Sequence, residues 1–315
     1  MVLRRFLSII PIVLAASFIV FCLEVFLPGD PAVSLAGPDA SLDRIEQIRQ
    51  SLQLDRPLIA RYFDWLGDAV RGDLGTSLFT RRSVSDEILA RWTVTGQLVT
   101  AALLLAIVVG VPLGMAAALR RGGIVDRLAL VGAAVGAALP AFLLGIVLIV
   151  VFAVWLGWLP VAGFVPFGRS PSDWARSLVL PAVALSGLVI AELTRQVRSA
   201  LIEVMEQDFV RMARAKGLPE RIVVVKHGMR LAAQTAVTVL GVQAARLFGG
   251  ALIVEQVFSL PGLGRYTIDA ISNRDLPVLQ GVVPVMVVIA VVLSVVADLG
   301  QQALNPVVAV REDRS

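Results

Sequence analysis

Three of the charged side chains inside long apolar stretches of this 315-residue chain are the first candidates for chemistry. They are Glu192, Arg246 and Asp298. Burying an ionised group in hydrocarbon costs about 3 kcal/mol or more, so such residues usually face protein or a water-filled cavity. Arg246 has two open roles, an ion pair with Glu192 or a place in the lining of an aqueous pathway. Asp298 is expected to be a structural partner for a neighbouring helix.

The remaining reactive residue types exclude the common enzymatic sites. The single histidine, His227, and the single cysteine, Cys22, cannot supply a His or Cys metal set. Lys216 is followed by glycine and Lys226 by histidine, so the sequence contains no GxxxxGK[ST] phosphate loop. No histidine or lysine lies in an apolar stretch to serve a serine nucleophile as its base. The chain is therefore expected to be no enzyme by itself, with no metal and no cofactor of its own.

The composition predicts an all-α polytopic membrane protein. Its mean hydropathy is +0.83 and 17% of its residues are charged, against about 25% in soluble domains. An apolar run of about 20 residues is long enough to cross a bilayer as a helix. The first run is too long for a cleaved signal, so we expect it to be retained. Six spans are predicted, near residues 1–27, 94–119, 128–156, 178–198, 233–257 and 278–304.

The distribution of basic residues predicts the orientation of these spans. Residues 128–168 carry no charge, which leaves open one span with a loop or two tightly spaced spans. With six spans and both termini in the cytoplasm, fifteen basic residues lie inside and four lie in the two short outer loops. Because short cytoplasmic loops are rich in Lys and Arg, this count favours six spans. The basic pI of about 9.9 is therefore explained by the Lys and Arg residues of the cytoplasmic loops and not by nucleic acid binding.

These spans divide the chain into four predicted regions: a first transmembrane helix, 1–27; an extracytoplasmic helical loop, 28–92; a core membrane domain of five spans, 93–308; and a cytoplasmic tail, 309–315. The loop carries ten acidic and eight basic residues, and SLDRIEQIRQSLQL within it has helical periodicity. It is either a solvated cap or a surface for an extracytoplasmic partner. In the core, Gly110 and Gly114 are spaced for close helix packing, as are Gly132 and Gly136.

The most informative cytoplasmic stretch is QDFVRMARAKGLPERIVVVKH, residues 207–227, which we call the elbow. It lies within a predicted loop at about 203–230. An apolar stripe is expected at Met205, Phe209, Met212 and Ala213. The helix is predicted to end at Gly217 in the left-handed conformation, and Pro219 to begin a second helix. Such a bent pair of helices suits docking to a protein, while an amphipathic loop on the lipid surface is the alternative.

The stretch VFSLPGLGRYTIDA, residues 257–270, is the outer segment. Pro261 and Gly262 predict a sharp turn, and Gly264 follows at the start of the next helix. A short helix across the outer mouth is expected, with an apolar stripe at Leu263, Tyr266, Ala270 and Ile271. The segment is either an outer gate or contact for a binding protein, or a simple interfacial turn.

Four motifs in order carry a family resemblance along nearly the whole chain. RMARAKG at 211–217 is similar to the EAAxxxG loop of ABC importer permeases. The others are PGDP at 28–31, LQLDRPLIARYFDWLGDAVRGDLGTS at 52–77 and VEQVFSLPGLGRYTIDAISNRDLPVLQG at 254–281. Together they resemble the B-type permease of the dipeptide, oligopeptide and nickel importers.

The resemblance implies a type I ABC importer permease fold in the bacterial plasma (inner) membrane. It implies a second permease subunit, two ATPase subunits or domains that carry ATP and Mg²⁺, and an extracytoplasmic substrate-binding protein. Peptides are the default cargo, while nickel, glutathione and haem remain open. The elbow residues implied to dock on an ATPase are Asp208, Arg211, Met212, Ala213, Arg214, Lys216 and Gly217.

Two departures and one alternative accompany the resemblance. The last span ends in Leu304, Asn305 and Pro306, where the family commonly has Leu-Asp-Pro, and Arg246 stands where relatives are usually apolar.

The alternative function is an ion-coupled secondary transporter or channel that uses Glu192 and Arg246 as a coupling pair. It predicts transport by the isolated chain without ATPases.

Overall fold

The computed structural model describes the backbone of residues 2–26, 33, 41–51 and 54–304. Within these ranges the chain is helical, with one isolated antiparallel bridge between Thr76 and Ser83. The PGDP motif, Asn305, Pro306 and the predicted tail at 309–315 lie outside the described residues.

The helices follow the predicted order. They are α1 (Val2–Phe26), α2 (Leu42–Ser51), α3 (Leu58–Val70), α4 (Val84–Leu119), α5 (Ile124–Ala138), α6 (Ala141–Leu148), α7 (Pro171–Met205), α8 (Asp208–Ala215), α9 (Glu220–Ile222), α10 (Met229–Val257), α11 (Leu263–Asn273) and α12 (Leu276–Leu304). Wider π-helical turns extend α6 through Ile149–Trp155 and join α9 to α10 through Val223–Gly228.

The chain forms two compact units. The first comprises Met1–Val94 and Gly262–Ile289, and the second comprises Thr95–Pro261 and Ala290–Ser315. In the first unit, α1 packs against α3 through aromatic rings, with Phe21 in edge contact with Tyr62 at 5.6 Å between ring centroids. In the second unit, α7 is the central helix and contacts α5, α6 and α10.

Four described helical segments are long and apolar enough to cross a membrane, namely Val84–Leu119, Pro171–Met205, Ala232–Val257 and Leu276–Val296. The pair α5 and α6 makes a fifth if it crosses as one bent span. The described apolar part of α1 is shorter, Ile10–Cys22. Six spans with both termini in the cytoplasm therefore stay a prediction.

The charge-free stretch contains a sharp bend at Pro140, a proline that the sequence places inside a predicted span. Its two helices, α5 and α6, meet at a bend of 106°. Leu139 at the bend is extended (φ −87°, ψ 121°), as expected for a residue before proline, and Pro140 caps the start of α6. Pro112 and Pro284, by contrast, remain inside α4 and α12.

Small residues allow α4 to approach α7 closely. A Cβ at Gly114 would lie 2.8 Å from the carbonyl oxygen of Thr194, and one at Gly110 would lie 3.2 Å from the Cβ of Leu193. This confirms the predicted close packing at the Gly110 and Gly114 pair. Of the second pair only Gly136 makes such an approach, since nothing lies within 4 Å of a Cβ at Gly132.

Candidate functional site

The elbow has a small apolar core of its own. Helix α7 ends at Met205, and α8 begins three residues later at Asp208. Val210 and Ala213, on one face of α8, are buried against Val223, with Met205 packed beside them. An isolated helix of eight residues is marginal in water, so this core is what holds α8 in place.

The predicted apolar stripe of the elbow was wrong in its buried face. Met205 belongs to α7, and α8 buries Val210 and Ala213 rather than Phe209 and Met212. Phe209 is 42% exposed and Met212 59% exposed. Because these two residues are three apart, they form an outward apolar row on α8. Phe209 was not among the predicted docking residues, and its spacing from Met212 is the signal that identifies it.

The end of α8 is a Schellman motif, as the Gly-Leu-Pro sequence predicts. The amide of Leu218 donates to the carbonyl of Ala213 at 3.3 Å, and the amide of Gly217 donates to the carbonyl of Arg214 at 2.9 Å. Gly217 has φ +76°, which confirms its predicted left-handed conformation. No atom lies within 4 Å of a Cβ built there, so only the backbone conformation demands glycine.

An ion pair closes the turn between α8 and α9. The Arg214 guanidinium donates to both carboxylate oxygens of Glu220, at 2.6 and 3.1 Å. These hydrogen bonds lower the pKa of Glu220 below its ordinary value. Because both side chains are well exposed, the pair contributes little stability and mainly fixes the direction of the turn.

All the predicted docking residues are exposed with a single exception. Asp208, Arg211, Met212, Arg214, Lys216 and Gly217 are exposed, whereas Ala213 is buried in the elbow core. Asp208 and Arg211 form an exposed ion pair at 3.4 Å. The surface is thus an apolar row with charged side chains around it, the composition of a protein-docking patch.

The intramembrane charges are not arranged as an ion pair. The Nε2 of Gln243 donates to the Glu192 carboxylate at 2.5 Å, and Gln243 is itself buried. Arg246, one turn further along α10, is exposed, and among the described side chains it has no ion pair with Glu192 or any other carboxylate. The predicted alternative of a Glu192–Arg246 pair is therefore absent. The side chain of Asp298 lies outside the described residues.

Two buried carboxylates were missed by sequence reasoning. Glu255 is fully buried in α10 and accepts a hydrogen bond from the hydroxyl of Thr95 at 2.6 Å. Asp126 accepts two hydrogen bonds from Arg198 on α7, at 2.5 and 2.8 Å, and a third from the amide of Gly122. Asp126 lies in the first turn of α5, where acidic residues are favoured, and this position was the available signal.

The outer segment divides between the two units. In the first unit, Gly262 caps α11, whose Leu263, Gly264, Tyr266 and Ala270 are buried. The predicted stripe is wrong at its last member, since Ile271 is exposed. Pro261, the last residue of the Thr95–Pro261 segment of the second unit, is exposed.

Tyr266 anchors α11 within the first unit. The Arg91 guanidinium lies 4.4 Å from the centroid of its ring. Burial, with the nearby Glu87 carboxylate, raises the pKa of Tyr266 to about 12. Beyond α11, the Asp275 carboxylate accepts from the Ser77 hydroxyl at 2.6 Å and from the Leu78 amide at 3.2 Å. The contact with Arg91 fixes α11 to α4, and the contacts of Asp275 fix the turn after α11 to the loop before α4.

Family models match most of the chain. Residues 110–310 match the family described as binding-protein-dependent transport system inner membrane component, and residues 1–99 match its N-terminal counterpart. The chain belongs to this family. It is therefore an ABC-type permease, a multi-pass protein of the inner membrane, in agreement with the motifs of the elbow and the outer segment.

Relatives and solved structures agree with this assignment of the permease. The glutathione transport system permease proteins GsiC of Escherichia coli and Salmonella typhimurium are each 39% identical over 307 residues, which is 98% of both chains. Two inward facing structures of the MetNI methionine ABC transporter align with TM-scores of 0.54 and 0.56 at 17% and 18% identity. They cover 69% of this permease and 96% of the aligned chain, and they show the fold.

Proposed function

We propose that this permease forms half of the translocation pathway of an ATP-driven peptide importer. A second permease supplies the other half, two ATPase subunits or domains dock at the elbow, and an extracytoplasmic binding protein delivers the cargo. ATP and Mg²⁺ are held by the ATPases, and this chain has no catalytic, metal or cofactor role and binds no nucleic acid. Six spans surrounded by lipid, with both termini inside, place the elbow in the cytoplasm.

The observation that carries this proposal is the exposed apolar row of the elbow. Phe209 and Met212 are exposed on a helix whose opposite face is fixed by its own core. Exposed apolar rows with charged edges are typical of surfaces that a partner covers. The acidic and basic side chains on the same helix favour a protein partner over an anionic lipid surface, which would repel Asp208.

The elbow is connected directly to two central helices of the second unit. It follows α7 after a break of two residues and leads into α10 through continuous helical turns. Movement of a docked ATPase is therefore transmitted to α7 and α10 without an intervening flexible linker. ATP binding changes the permease only if the ATPase binds one conformation more tightly than another, because equal affinity shifts no equilibrium.

Peptide cargo rests on the relatives. Proteins that are 39% identical over nearly full length carry the name glutathione transport system permease, and glutathione is a short peptide. The elbow and the outer segment contain nothing that selects among peptides. We therefore propose short peptides as the class of cargo.

The proposal is tested by reconstituting the permease into liposomes with and without its partners. Uptake of glutathione, dialanine and trialanine is measured with ATP inside the vesicles or with an ion gradient alone. We expect uptake of at least one peptide only when both permeases, the ATPases, the binding protein and ATP are present. Gradient-driven uptake by the isolated chain would instead support the secondary transporter, whose suggested Glu192–Arg246 pair is replaced by Glu192–Gln243.

A further inference from the structure

One face of α10 has an unusual composition for a membrane helix. Apart from Ala233 near its start, the exposed residues described on α10 recur at intervals of three or four. They form one row, which we call the α10 stripe: Thr238, Val242, Arg246, Gly249, Ile253 and Gln256. Half of these six residues are polar or charged, and the guanidinium lies between apolar neighbours. The opposite face of α10 packs against α7 and α6.

Exposed faces of other apolar helices in the same unit differ from this stripe. On α4 the exposed residues of the apolar centre are Leu104, Ile107 and Val108, and on α5 and α6 they include Leu128, Val131, Val135, Phe142 and Ile146. These residues are all apolar, and Thr100, which extends the α4 face, is uncharged, as suits contact with lipid. The α10 stripe is therefore not a lipid-facing surface, and it faces water or protein in the assembled importer.

Arg246 lies too far from either end of α10 to reach the membrane surface easily. It is eleven residues from Val257, about 16 Å of helix rise, and seventeen residues from Met229, about 26 Å. Long basic side chains reach the interface from positions near helix ends, and Arg246 is not near one. The neighbouring carboxylate of Glu192 is already bound by Gln243.

Gly249 leaves space next to the guanidinium. It is three residues from Arg246 on the same stripe, and nothing in the described chain lies within 4 Å of a Cβ built on it. Gly250, which faces the other way, would place its Cβ 3.0 Å from Leu185. An open notch beside an always-charged donor is suited to an elongated anionic solute and not to close helix packing.

We propose that Arg246 faces the aqueous pathway and binds the carboxylate of the peptide in transit, with Gly249 giving room for the adjoining chain. A guanidinium donates two parallel N–H bonds to one carboxylate, and every peptide with a free C-terminus carries that group. This inference rests on the proposed function, because it assumes that a peptide passes this face. It adds a binding residue that recognises the ionised end of the cargo.

The test uses the complete importer in liposomes, with Arg246→Cys in a Cys22→Ser background. The probe is whichever of glutathione, dialanine and trialanine the unmodified complex imports fastest. The variant is treated with either of two thiol reagents of similar size, aminoethyl or sulfonatoethyl methanethiosulfonate, which attach a positive or a negative group through a disulfide. We expect Arg246→Cys to lower peptide uptake about tenfold, the effect of one lost charged hydrogen bond.

The cationic adduct is expected to restore most of that uptake, and the anionic adduct to restore none. Val242→Cys on the same stripe should react with both reagents, and Leu104→Cys on the lipid-type face of α4 should react with neither. The Cys22→Ser complex with Arg246 intact, treated in the same way, corrects for reaction at partner subunits. Gly249→Leu should lower uptake while the complex still copurifies with its second permease.

Three outcomes would overturn the inference. The first is failure of both reagents to react with Arg246→Cys, and the second is equal restoration of peptide uptake by both adducts. The third is loss of the second permease from the complex in Arg246→Cys or Gly249→Leu, which would assign the α10 stripe to the interface between permeases. Failure of the proposed function is recognised separately. In that case the Cys22→Ser complex with Arg246 intact imports no peptide in the presence of ATP.

Discussion

Single residues in this permease act through buried polar contacts that the sequence pattern does not reveal. The sequence singled out Glu192 and Arg246 as charges in apolar stretches and offered an ion pair between them as one alternative. It gave no sign that Gln243, three residues before Arg246, is the residue that contacts Glu192. It also missed Glu255, whose partner Thr95 is 160 residues away in the chain.

The contact between Thr95 and Glu255 gives a prediction at this scale. Thr95→Val keeps the size of the side chain but removes the hydroxyl that donates to the buried carboxylate at 2.6 Å. We expect it to destabilise the protein by about 1–3 kcal/mol, because a fully buried acceptor loses a hydrogen bond. The measurement is the thermal unfolding midpoint of the detergent-solubilised complex.

Thr93→Val is the matched control for this substitution. Thr93 is exposed two residues away on α4, and its hydroxyl donates only to the carbonyl of Ala90 in the same helix. The control should therefore leave the midpoint nearly unchanged. Equal midpoints for Thr93→Val and Thr95→Val would show that the buried hydrogen bond does not stabilise the fold.

At the scale of elements, the periodicity of the sequence predicted the positions of helices. It was less successful in predicting which face of each helix is buried. The helices at residues 42–51 and 208–215 appear as expected. On α8, however, Phe209 with Met212 and Val210 with Ala213 are two apolar rows of identical spacing. Only the position of Val223, which packs on the second row, decides between them. That contact crosses a turn, and spacing within one helix carries no information about it.

The bend in the charge-free stretch was also not predictable from the local sequence. A proline inside a helix is compatible with a kink or with a break, and Pro112 and Pro140 looked alike in the sequence. Pro112 stays within α4, whereas Pro140 separates α5 from α6 by 106°. What distinguishes them is the packing of the flanking helices, which is decided by residues distant in the chain.

The close approach of α4 to α7 gives a second prediction. Gly114→Ala would place a methyl group 2.8 Å from a backbone oxygen and 2.9 Å from the Cβ of Val197. The helices must separate to admit it, and we expect destabilisation of about 1–3 kcal/mol, measured as the unfolding midpoint of the complex. Gly132→Ala is the control, since its Cβ meets open space. A drop of the same size in the control would assign the effect to loss of glycine flexibility.

Docking of an ATPase at the elbow gives a third prediction. Met212→Glu puts a charge into the outward apolar row without touching the elbow core. We expect it to lower copurification of the ATPases at least tenfold while the second permease is retained. Arg221→Glu, an exposed change on the following turn outside the apolar row, should have a smaller effect. Full retention of the ATPases in Met212→Glu would exclude the row from the docking surface.

At the scale of the whole molecule, the elbow and α11 are each fixed by a separate set of contacts within their own unit. The elbow core and its Schellman motif hold α8 at the junction of α7 and α10. In the other unit, Arg91, Asp275 and the buried face of α11 hold the outer helix. The proposed function requires a rigid elbow, because movement of a docked ATPase must reach the membrane helices. The central claim is that the elbow transmits this change.

Substrate-stimulated ATP hydrolysis by the purified complex tests that claim most directly, with Gly217→Val compared with Gly217→Ala and the unchanged chain. At φ +76° and with open space around the Cβ, substitution costs only backbone strain, about 1–2 kcal/mol and most for a β-branched residue. We predict that Gly217→Val assembles with all partners but loses about tenfold of the stimulation, with Gly217→Ala intermediate. Normal stimulation and normal peptide uptake in an assembled Gly217→Val complex would contradict the account.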